Sequence, residues 1–491
     1  MIRPILLSLL TTLSSPACGG DSPPTPNPPD AGSPDAGSPD AGPPDAGPLD
    51  LQQRIANATA RVQADTCFQS GQDVSGCDWG DYPFDPAAFS MEPSTQETLL
   101  IVDGFAELPP RAIRYKNRLK GFFRVDGSGE IAPVSFAWHA PRVLFETLSE
   151  FAESDLLPAE ALRALSGPLS DTYGTYANKN AGHGSYVFSL LVEANPRQPI
   201  VILDHLGYDK FARTDFCDGS GSEASLGRLR EKAEGVAANL RRLMDAHQVR
   251  FVNVSAGESL DTMRDSWKSA CGGALPGDDI LRAKLNAYAP IVEALYNTPG
   301  VFAAQAAIQG SNSQDFPFDF PSPSYPNRLL AGYFTTLESG LDAQGRRSGT
   351  GTFSGWPGRQ NVDLYLNSGV LPNRPFRYNM TPLLQVDGFG VDIFPITQTT
   401  TSWITPLALS RFIHARYALF PDQAMSNALI SRIRETLTPA VCPEQAAGTC
   451  AYQDPLKHGQ LEAVRLGYWS PEYVESAFPQ STLSRWMEFS Q

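Results

Sequence analysis

The chain lacks basic clusters and carries a marked excess of acidic residues. Lys and Arg total 38 against 53 Asp and Glu, which gives a formal net charge of −15 over 491 residues. A surface of that sign repels phosphate backbones and anionic lipid headgroups. We therefore expect neither nucleic acid nor a bare membrane surface to be a partner of the folded body.

Long apolar runs are also missing beyond the N-terminus. No later stretch reaches the roughly 18 uncharged apolar residues that a membrane-spanning helix needs. Hydrophobic residues make up 42% of the chain and charged residues 19%, a composition that permits a substantial buried core. No Gly-x-Ser-x-Gly elbow surrounds a plausible nucleophile, which argues against an esterase.

The N-terminus has the layout of an export signal. Arg3 precedes the apolar residues 5–10, a small-residue stretch at 14–17 and then Cys18. This arrangement resembles the lipobox of bacterial lipoproteins, in which the cysteine is acylated after cleavage. The resemblance implies a signal peptide over residues 1–18 and a lipid anchor on Cys18 as the sole membrane attachment. The location would be the cell envelope, at the outer membrane or in the periplasmic or extracellular space. An ordinary cleaved signal peptide is the alternative.

The six remaining cysteines support export. An even number of cysteines outside the cytoplasm indicates disulfides, and no Cys-x-x-Cys or nearby histidine suggests a metal instead. Six cysteines allow 15 connectivities. The spacings make one set the simplest, namely Cys67–Cys77, Cys217–Cys271 and Cys442–Cys450.

Composition divides the chain into segments. Residues 19–49 contain Pro-Asp-Ala-Gly four times with a period of five, so they cannot bury apolar surface and predict a disordered tether. Residues 50–97 predict a bridging segment with a helix over Leu51–Ala64. Residues 98–491 predict a single large domain with a C-terminal extension.

Strand-like and helical patterns alternate through that domain. Helical periodicity occupies residues 225–247 and 278–296. Short apolar runs predict strands at residues 99–102, 199–203, 251–254, 301–307, 329–332 and 362–366. Such alternation predicts an α/β fold, with a mostly parallel twisted sheet flanked by helices on both faces.

Active groups collect at the carboxyl ends of strands in such sheets. Three polar residues draw attention there: Asp103 ends a strand-like run, His183 lies in Gly-His-Gly, and Ser402 opens a predicted helix. A hydroxyl activated by an imidazole, itself oriented by a carboxylate, is the machinery for amide hydrolysis. Backbone N–H groups at a helix start also stabilise an oxyanion.

The three residues occur in an order and context that resemble the subtilase family. Residues 400–406, T-T-S-W-I-T-P, resemble the nucleophile motif G-T-S-M-A-T-P, and residues 183–187, H-G-S-Y-V, look like H-G-T-H-V. Residues 251–257, F-V-N-V-S-A-G, are similar to the strand V-I-N-M-S-L-G that pairs with bound peptide. Segments near residues 325–332 and 353–365 are also similar, so the resemblance runs from about residue 98 to 470.

The resemblance implies a subtilisin-like fold and a serine endopeptidase with a protein or peptide substrate, expected to be a monomer. Asp103, His183 and Ser402 would form the triad, Gln309 would donate to the oxyanion, and Ser255, Ala256 and Gly257 would line the substrate groove. Asp126 is the rival for Asp103, and Asn312 is the fallback donor. An inactive, membrane-tethered peptide-binding or structural protein is the alternative function.

The pattern departs from the family at two of these positions. Thr400 stands where the family has glycine, and Gln309 stands where it has asparagine. No cofactor is expected. Residues 215–222 and 315–319 could hold a structural Ca²⁺, with solvated loops as the preferred interpretation.

Overall fold

The computed structural model describes residues 51–66, 78–89, 95–105, 110–113, 115–150, 183–195, 197–307, 312–319, 324–335, 352–353, 362–367, 401–437 and 452–453. The compact body spans residues 50–491. The predicted signal peptide, Cys18 and the repeat linker lie outside the described residues.

A ten-stranded, mostly parallel sheet forms the centre of the body. Its strand order is β12-β11-β9-β8-β7-β2-β6-β3-β4, and β10 pairs with β9. The strands are β2 (Thr98–Asp103), β3 (Leu119–Val125), β4 (Ile131–Pro133), β6 (Ile200–Asp204), β7 (Val249–Val254), β8 (Phe302–Ala306), β9 (Arg328–Thr335), β10 (Thr352–Phe353), β11 (Leu364–Asn367) and β12 (Tyr452–Gln453). Within this sheet only β4 and β10 run antiparallel to their partners.

Two further strands form a small separate ribbon. They are β1 (Trp79–Pro83) and β5 (Ala137–Pro141), which pair antiparallel to each other. Helices connect the elements as follows: α1 (Leu51–Ala64), α2 (Arg142–Glu150), α3 (His183–Ala194), α4 (Tyr208–Phe211), α5 (Arg213–Phe216), α6 (Glu223–Ala246), α7 (Leu260–Ala270), α8 (Asp278–Ala287), α9 (Ala289–Asn297), α10 (Thr401–Leu419) and α11 (Asn427–Leu437).

Alternation along the buried strands builds two cores, one on each face of the sheet. In β2, Leu99 and Ile101 join the core beneath α1, α3, α10 and α11. Leu100 and Val102 join the core beneath α6, α8 and α9. Successive side chains of a strand point to opposite faces, so an entirely apolar strand must be covered on both sides. The predicted α/β architecture in one domain is confirmed.

The long helical pattern predicted over residues 278–296 is divided into two helices. α8 ends at Ala287 and α9 begins at Ala289, with Tyr288 between them. Pro290 lies in the first turn of α9, where its missing N–H costs no helical hydrogen bond. Apolar periodicity continues through both helices, so the sequence pattern did not reveal the break.

Helix α1 packs onto the same body as the sheet. Its Ala58 and Val62 are fully buried in one of the two cores. The Arg61 guanidinium lies 2.7 Å from the Glu150 carboxylate of α2. The predicted helix over these residues is confirmed, and part of the segment before residue 98 contributes to the core.

One predicted disulfide is present. Cys217, after α5, is bonded to Cys271, after α7, across 54 positions of sequence. This confirms one of the three predicted pairs, while the cysteines of the other two pairs lie outside the described residues. Among the described residues, no helix is both long and apolar enough to cross a bilayer.

Candidate functional site

Asp103 is the last residue of β2 and is buried, with 4% of its surface exposed. Its Oδ1 accepts a hydrogen bond from the Gly104 backbone N–H at 2.7 Å. The same oxygen lies 2.7 Å from Nδ1 of His183. A buried carboxylate favours partners that donate to it, because unpaired burial of charge is costly. Asp103 therefore holds the histidine ring by one nitrogen.

His183 is the first residue of α3, and its side chain is 43% exposed. The next residue, Gly184, donates its N–H to the Gly104 carbonyl at 3.0 Å. A Cβ on Gly184 would lie 2.6 Å from the Phe105 ring, closer than real Cβ atoms approach. The glycine after the histidine thus allows α3 to begin against the loop that follows β2.

The Asp103 contact determines how the imidazole is oriented. With Nδ1 facing the carboxylate, a proton on Nδ1 is favoured and Nε2 is turned away from Asp103. Nε2 is then the basic nitrogen of the neutral ring. This is the tautomer that a general base acting on a hydroxyl requires.

Ser402 is the second residue of α10, as predicted from the helical start. Its Oγ donates to the Ser255 carbonyl at 3.2 Å. In return the Ser255 Oγ donates to the Ser402 carbonyl at 2.9 Å. This reciprocal pair attaches the start of α10 to the residue that follows β7.

Pro406 explains why the Ser402 carbonyl can accept a side-chain hydrogen bond. In an α-helix that carbonyl would accept from the N–H four residues later. Proline has no N–H, and Pro406 occupies that position inside α10. The Ser255 hydroxyl supplies the missing donor.

Two neighbouring strand ends bring the three residues to one edge of the sheet. Val102 of β2 pairs with Val254 of β7. The residues that follow them, Asp103 and Ser255, therefore lie side by side at a strand spacing of about 4.8 Å. Asp103 contacts His183, and Ser255 contacts Ser402.

Helix α3, which begins at His183, and helix α10, whose second residue is Ser402, also pack together on one face of the sheet. Side chains of α3 and α10 share one core. The Asn195 amide, directly after α3, donates to the Ser410 hydroxyl of α10 at 2.8 Å. Both helices therefore start at the carboxyl edge and run back across the sheet together.

The strand segment expected to bind substrate contains a polar residue that the sequence analysis did not single out. Asn253 is fully buried in β7, and its Nδ2 donates to the Ser255 hydroxyl at 2.9 Å. It extends the hydrogen-bond chain that ends at the Ser402 carbonyl. An asparagine between two valines of this strand was the available signal.

A pocket opens beside this segment. Its rim includes Asp103, Gly104, Ala256 and Gly257. Glu258 also lines it and was not predicted as a site residue, although it is the polar residue next after the groove segment. The empty space in and around the pocket, with open solvent included, is about 550 Å³.

Burial raises the pKa of Glu258 to about 7. A hydrogen bond from the Thr262 hydroxyl, at 3.1 Å, and the nearby His205 act in the opposite direction. Asp209 raises the pKa further through like-charge repulsion. The carboxyl of Glu258 therefore changes its charge near neutral pH.

Asp319 is a second carboxyl of this kind and is fully buried. Burial, with a contribution from Glu258, raises its pKa to about 8 against the opposing influence of Arg328. Its Oδ1 accepts from the Gln305 amide at 2.5 Å, and the Gln305 oxygen accepts from Arg328 at 3.0 Å. Gln305 thus separates the acid from the buried cation.

Replacement of Asp319 by asparagine is expected to remove a pH-dependent cost to folding. A carboxyl whose pKa rises from 3.8 to about 8 on folding binds its proton more tightly when folded, so stability falls as pH rises between those values. The advantage of Asp319→Asn over the wild type should grow by ~2 kcal/mol or more between pH 5 and pH 8. Urea unfolding at both pH values measures it.

The exposed Asp265→Asn serves as the control, because its side chain is 77% exposed and should give no such trend. A constant loss of stability in Asp319→Asn at both pH values would instead mean that Asp319 is ionised and held by Arg328.

The predicted oxyanion donor, Gln309, and Thr400 lie outside the described residues. The fallback donor Asn312 is exposed, and its amide donates to Asp315 at 2.8 Å. Its Oδ1 accepts from the backbone N–H groups of Gln314 and Asp315. Asn312 therefore caps a local turn.

Asp126, the rival for Asp103, lies in the turn between β3 and β4. Its Oδ1 accepts hydrogen bonds from the Ser128 and Glu130 backbone N–H groups. These bonds lower its pKa, the contribution of the Ser128 side chain being the largest. Asp126 has the contacts of a turn residue, whereas Asp103 contacts the histidine.

The segments considered for calcium contain carboxylates that are paired with cations. Asp215 lies 2.7 Å from Arg228, and Asp315 lies 2.7 Å from Arg282. Within the described part of the chain, no group of three or more metal-ligating side chains comes together.

Comparisons with known proteins give similarity at the level of solved structures. No family model matches the chain, and no curated protein matches it. One matching structure is described as "S41 Psychrophilic Protease", at 14% identity and a TM-score of 0.32, covering 74% of this chain and 90% of that one. Another is Pseudomonas sedolisin, a serine-carboxyl proteinase complexed with two molecules of pseudo-iodotyrostatin, at 11% identity and a TM-score of 0.30, covering 76% and 92%. Both of these structures are described as proteases or proteinases.

Proposed function

We propose that the chain is an exported serine endopeptidase of the subtilisin-like kind, with Ser402, His183 and Asp103 as its triad. The observation that carries the proposal is the 2.7 Å contact between Asp103 and His183 beside the strand end that holds Ser402. A histidine on a buried carboxylate and a serine at a helix start, both at the same edge of a sheet, are the groups that acyl transfer uses.

In this proposal His183 Nε2 accepts the Ser402 hydroxyl proton as Oγ attacks the substrate carbonyl. Asp103 stabilises the imidazolium that forms. The tetrahedral oxyanion accepts hydrogen bonds from the Ser402 backbone N–H and the Gln309 side chain, with support from the positive end of α10. His183 then returns the proton to the departing amine.

Substrate would bind as an added strand along Ser255, Ala256 and Gly257. Main-chain hydrogen bonds from such a strand supply affinity with little dependence on sequence. The same proposal gives the protein a lipid anchor at Cys18, a place in the cell envelope, protein or peptide substrates and a monomeric state. It assigns no cofactor.

A second candidate is a peptide-binding protein without catalysis. It is favoured by the hydrogen bond from the Ser402 hydroxyl to the Ser255 carbonyl, because that proton must be released before the serine can be activated. The 3.2 Å length of this bond is at the long end for hydroxyl donors, so a substrate could displace it.

The test is to incubate the purified protein with a fluorophosphonate probe and, separately, with unfolded casein. We expect the probe to label Ser402, as located by peptide mass spectrometry, and casein to be cleaved. Casein binding without labelling or turnover would support the second candidate instead.

A further inference from the structure

The pocket beside Asp103 is continuous with the segment proposed to bind substrate. Ser255 accepts a hydrogen bond from Ser402, and the next three residues, Ala256, Gly257 and Glu258, all line the pocket. A substrate residue held at the reacting hydroxyl therefore has this pocket within reach of its side chain.

The walls of the pocket are mostly apolar. They are formed by Leu206 after β6, by Tyr288 between α8 and α9, by α9 itself and by Phe318. The α9 residues are Val292, Leu295 and Tyr296. Apolar walls of this kind suit a long side chain that buries its methylene groups.

The polar groups of the pocket carry a net acidic character. Glu258 lines it directly, Asp209 raises the pKa of Glu258, and Glu258 in turn raises the pKa of the buried Asp319. His205, at the rim, is the basic group that faces Glu258.

Other titratable groups around Glu258 do not cancel this acidity. The phenols Tyr208, Tyr288 and Tyr296 sense its charge, and burial raises the pKa of each of them. Arg328 lies beyond Gln305 and packs against the Tyr296 and Tyr325 rings. Its charge lowers the pKa of Asp319, which leaves Glu258 as the carboxyl that lines the pocket.

We propose that this pocket receives a lysine or arginine side chain of the substrate, on the acyl side of the cleaved bond, with Glu258 as the group that recognises the cation. The inference rests on the proposed peptidase function, because it assigns the substrate class of the same site. The methylene stem of the guest packs on the apolar walls, and its charged end reaches the carboxyl cluster.

The charges explain the preference over other guests. Burial raises the pKa of Glu258 and of Asp319, and the charge of Glu258 adds to the shift at Asp319. A cationic guest beside Glu258 would offset this like-charge repulsion. An acidic guest would add a further like charge. An apolar guest would leave the cluster without compensation, so it binds less well than an isosteric cation.

The preference should also depend on pH in a defined direction. The Glu258 carboxyl, with its pKa raised to about 7, is neutral below that pH and ionised above it. The pKa of His205, the basic group beside Glu258, is raised mainly by its hydrogen bond to Asp204. Ionisation of Glu258 favours a cationic guest, so selectivity for it should increase from pH 6 to pH 8.

The first experiment compares two peptides that differ only in lysine or norleucine at the position before the cleaved bond. Norleucine has the same stem without the charge. At pH 8 we expect kcat/KM to be roughly ten- to a hundredfold higher for lysine, the range for a hydrogen bond to a charged group. Glu258→Gln should abolish most of that ratio and its pH dependence, and the exposed Asp265→Asn should keep both.

The second experiment separates the pocket from catalysis. Binding of the same two peptides to Ser402→Ala is measured by fluorescence anisotropy, which needs no turnover. Tighter binding of the lysine peptide, lost in the Ser402→Ala, Glu258→Gln double variant, supports the pocket even if no peptide is cleaved. Equal or tighter binding of norleucine overturns the inference, and cleavage with that preference would leave the peptidase proposal intact.

Discussion

Ser402→Ala should lose peptide hydrolysis almost completely, by roughly 10⁶-fold in kcat if the serine is the nucleophile. The reason is that no neighbouring hydroxyl takes its place in the described site. The Ser255 hydroxyl already donates to the Ser402 carbonyl at 2.9 Å. Residual turnover should come only from binding and oxyanion stabilisation.

The same substitution should leave the fold almost unchanged. Ser402 is half-buried, and the 3.2 Å hydrogen bond that its Oγ donates to the Ser255 carbonyl joins two neutral groups, so its removal should cost only about 1 kcal/mol of stability. Casein hydrolysis and thermal unfolding of the variant measure the two effects. Ser269→Ala, an exposed serine within α7, is the matched control and should retain full activity.

Activity of Ser402→Ala within tenfold of the wild type would remove Ser402 from the mechanism. A variant that loses both activity and its unfolding transition would mean that the serine has a structural part. In that case Ser402→Cys, which keeps a similar size, would show whether the hydroxyl itself is required.

Asp103→Asn should lower kcat by about 10⁴-fold with little change in KM. Asparagine preserves the size of the side chain but presents an amide, and it can offer an N–H to His183 Nδ1. The ring would then be held in the tautomer with its proton on Nε2, and it could not accept the serine proton. The imidazolium formed during the reaction would also lose its counter-charge.

Asp126→Asn is the matched control for that experiment, because it makes the same chemical change at the rival aspartate. Asp126 accepts hydrogen bonds within its own turn, so its substitution should change kcat less than about twofold. Loss of activity in Asp126→Asn, with activity kept in Asp103→Asn, would reverse the assignment.

The architecture was predictable because apolar residues repeat along the sequence with the periods of strands and helices. The apolar runs at residues 99–102 and 251–254 predicted the ends of β2 and β7 to within two residues, and their lack of polar alternation indicated coverage on both faces. The break at Tyr288 was not predictable from periodicity, because apolar spacing continues across it. Strand β3 was missed, although Leu119–Val125 is a mostly buried run.

The candidate site was also predictable from the sequence only in part. Asp103, His183 and Ser402 could be chosen from their places at strand or helix ends, since polar residues there have no core to join. The choice between Asp103 and Asp126 needed the distance to His183, which depends on where α3 lies against β2. Glu258 and Asp319 were missed as a pair because 61 positions of sequence separate residues 258 and 319.

The sequence by itself determined the acidic balance, the repeat near the N-terminus, the parallel α/β class and the order of three candidate residues. These features depend on composition and local periodicity, which any segment carries without its neighbours. Only the tertiary structure decided that β2 and β7 are adjacent, that Ser402 is held by Ser255, and that Glu258 lines an apolar pocket while Asp319 is fully buried. Those facts depend on strand order and burial, because proximity and desolvation exist only after distant segments have packed.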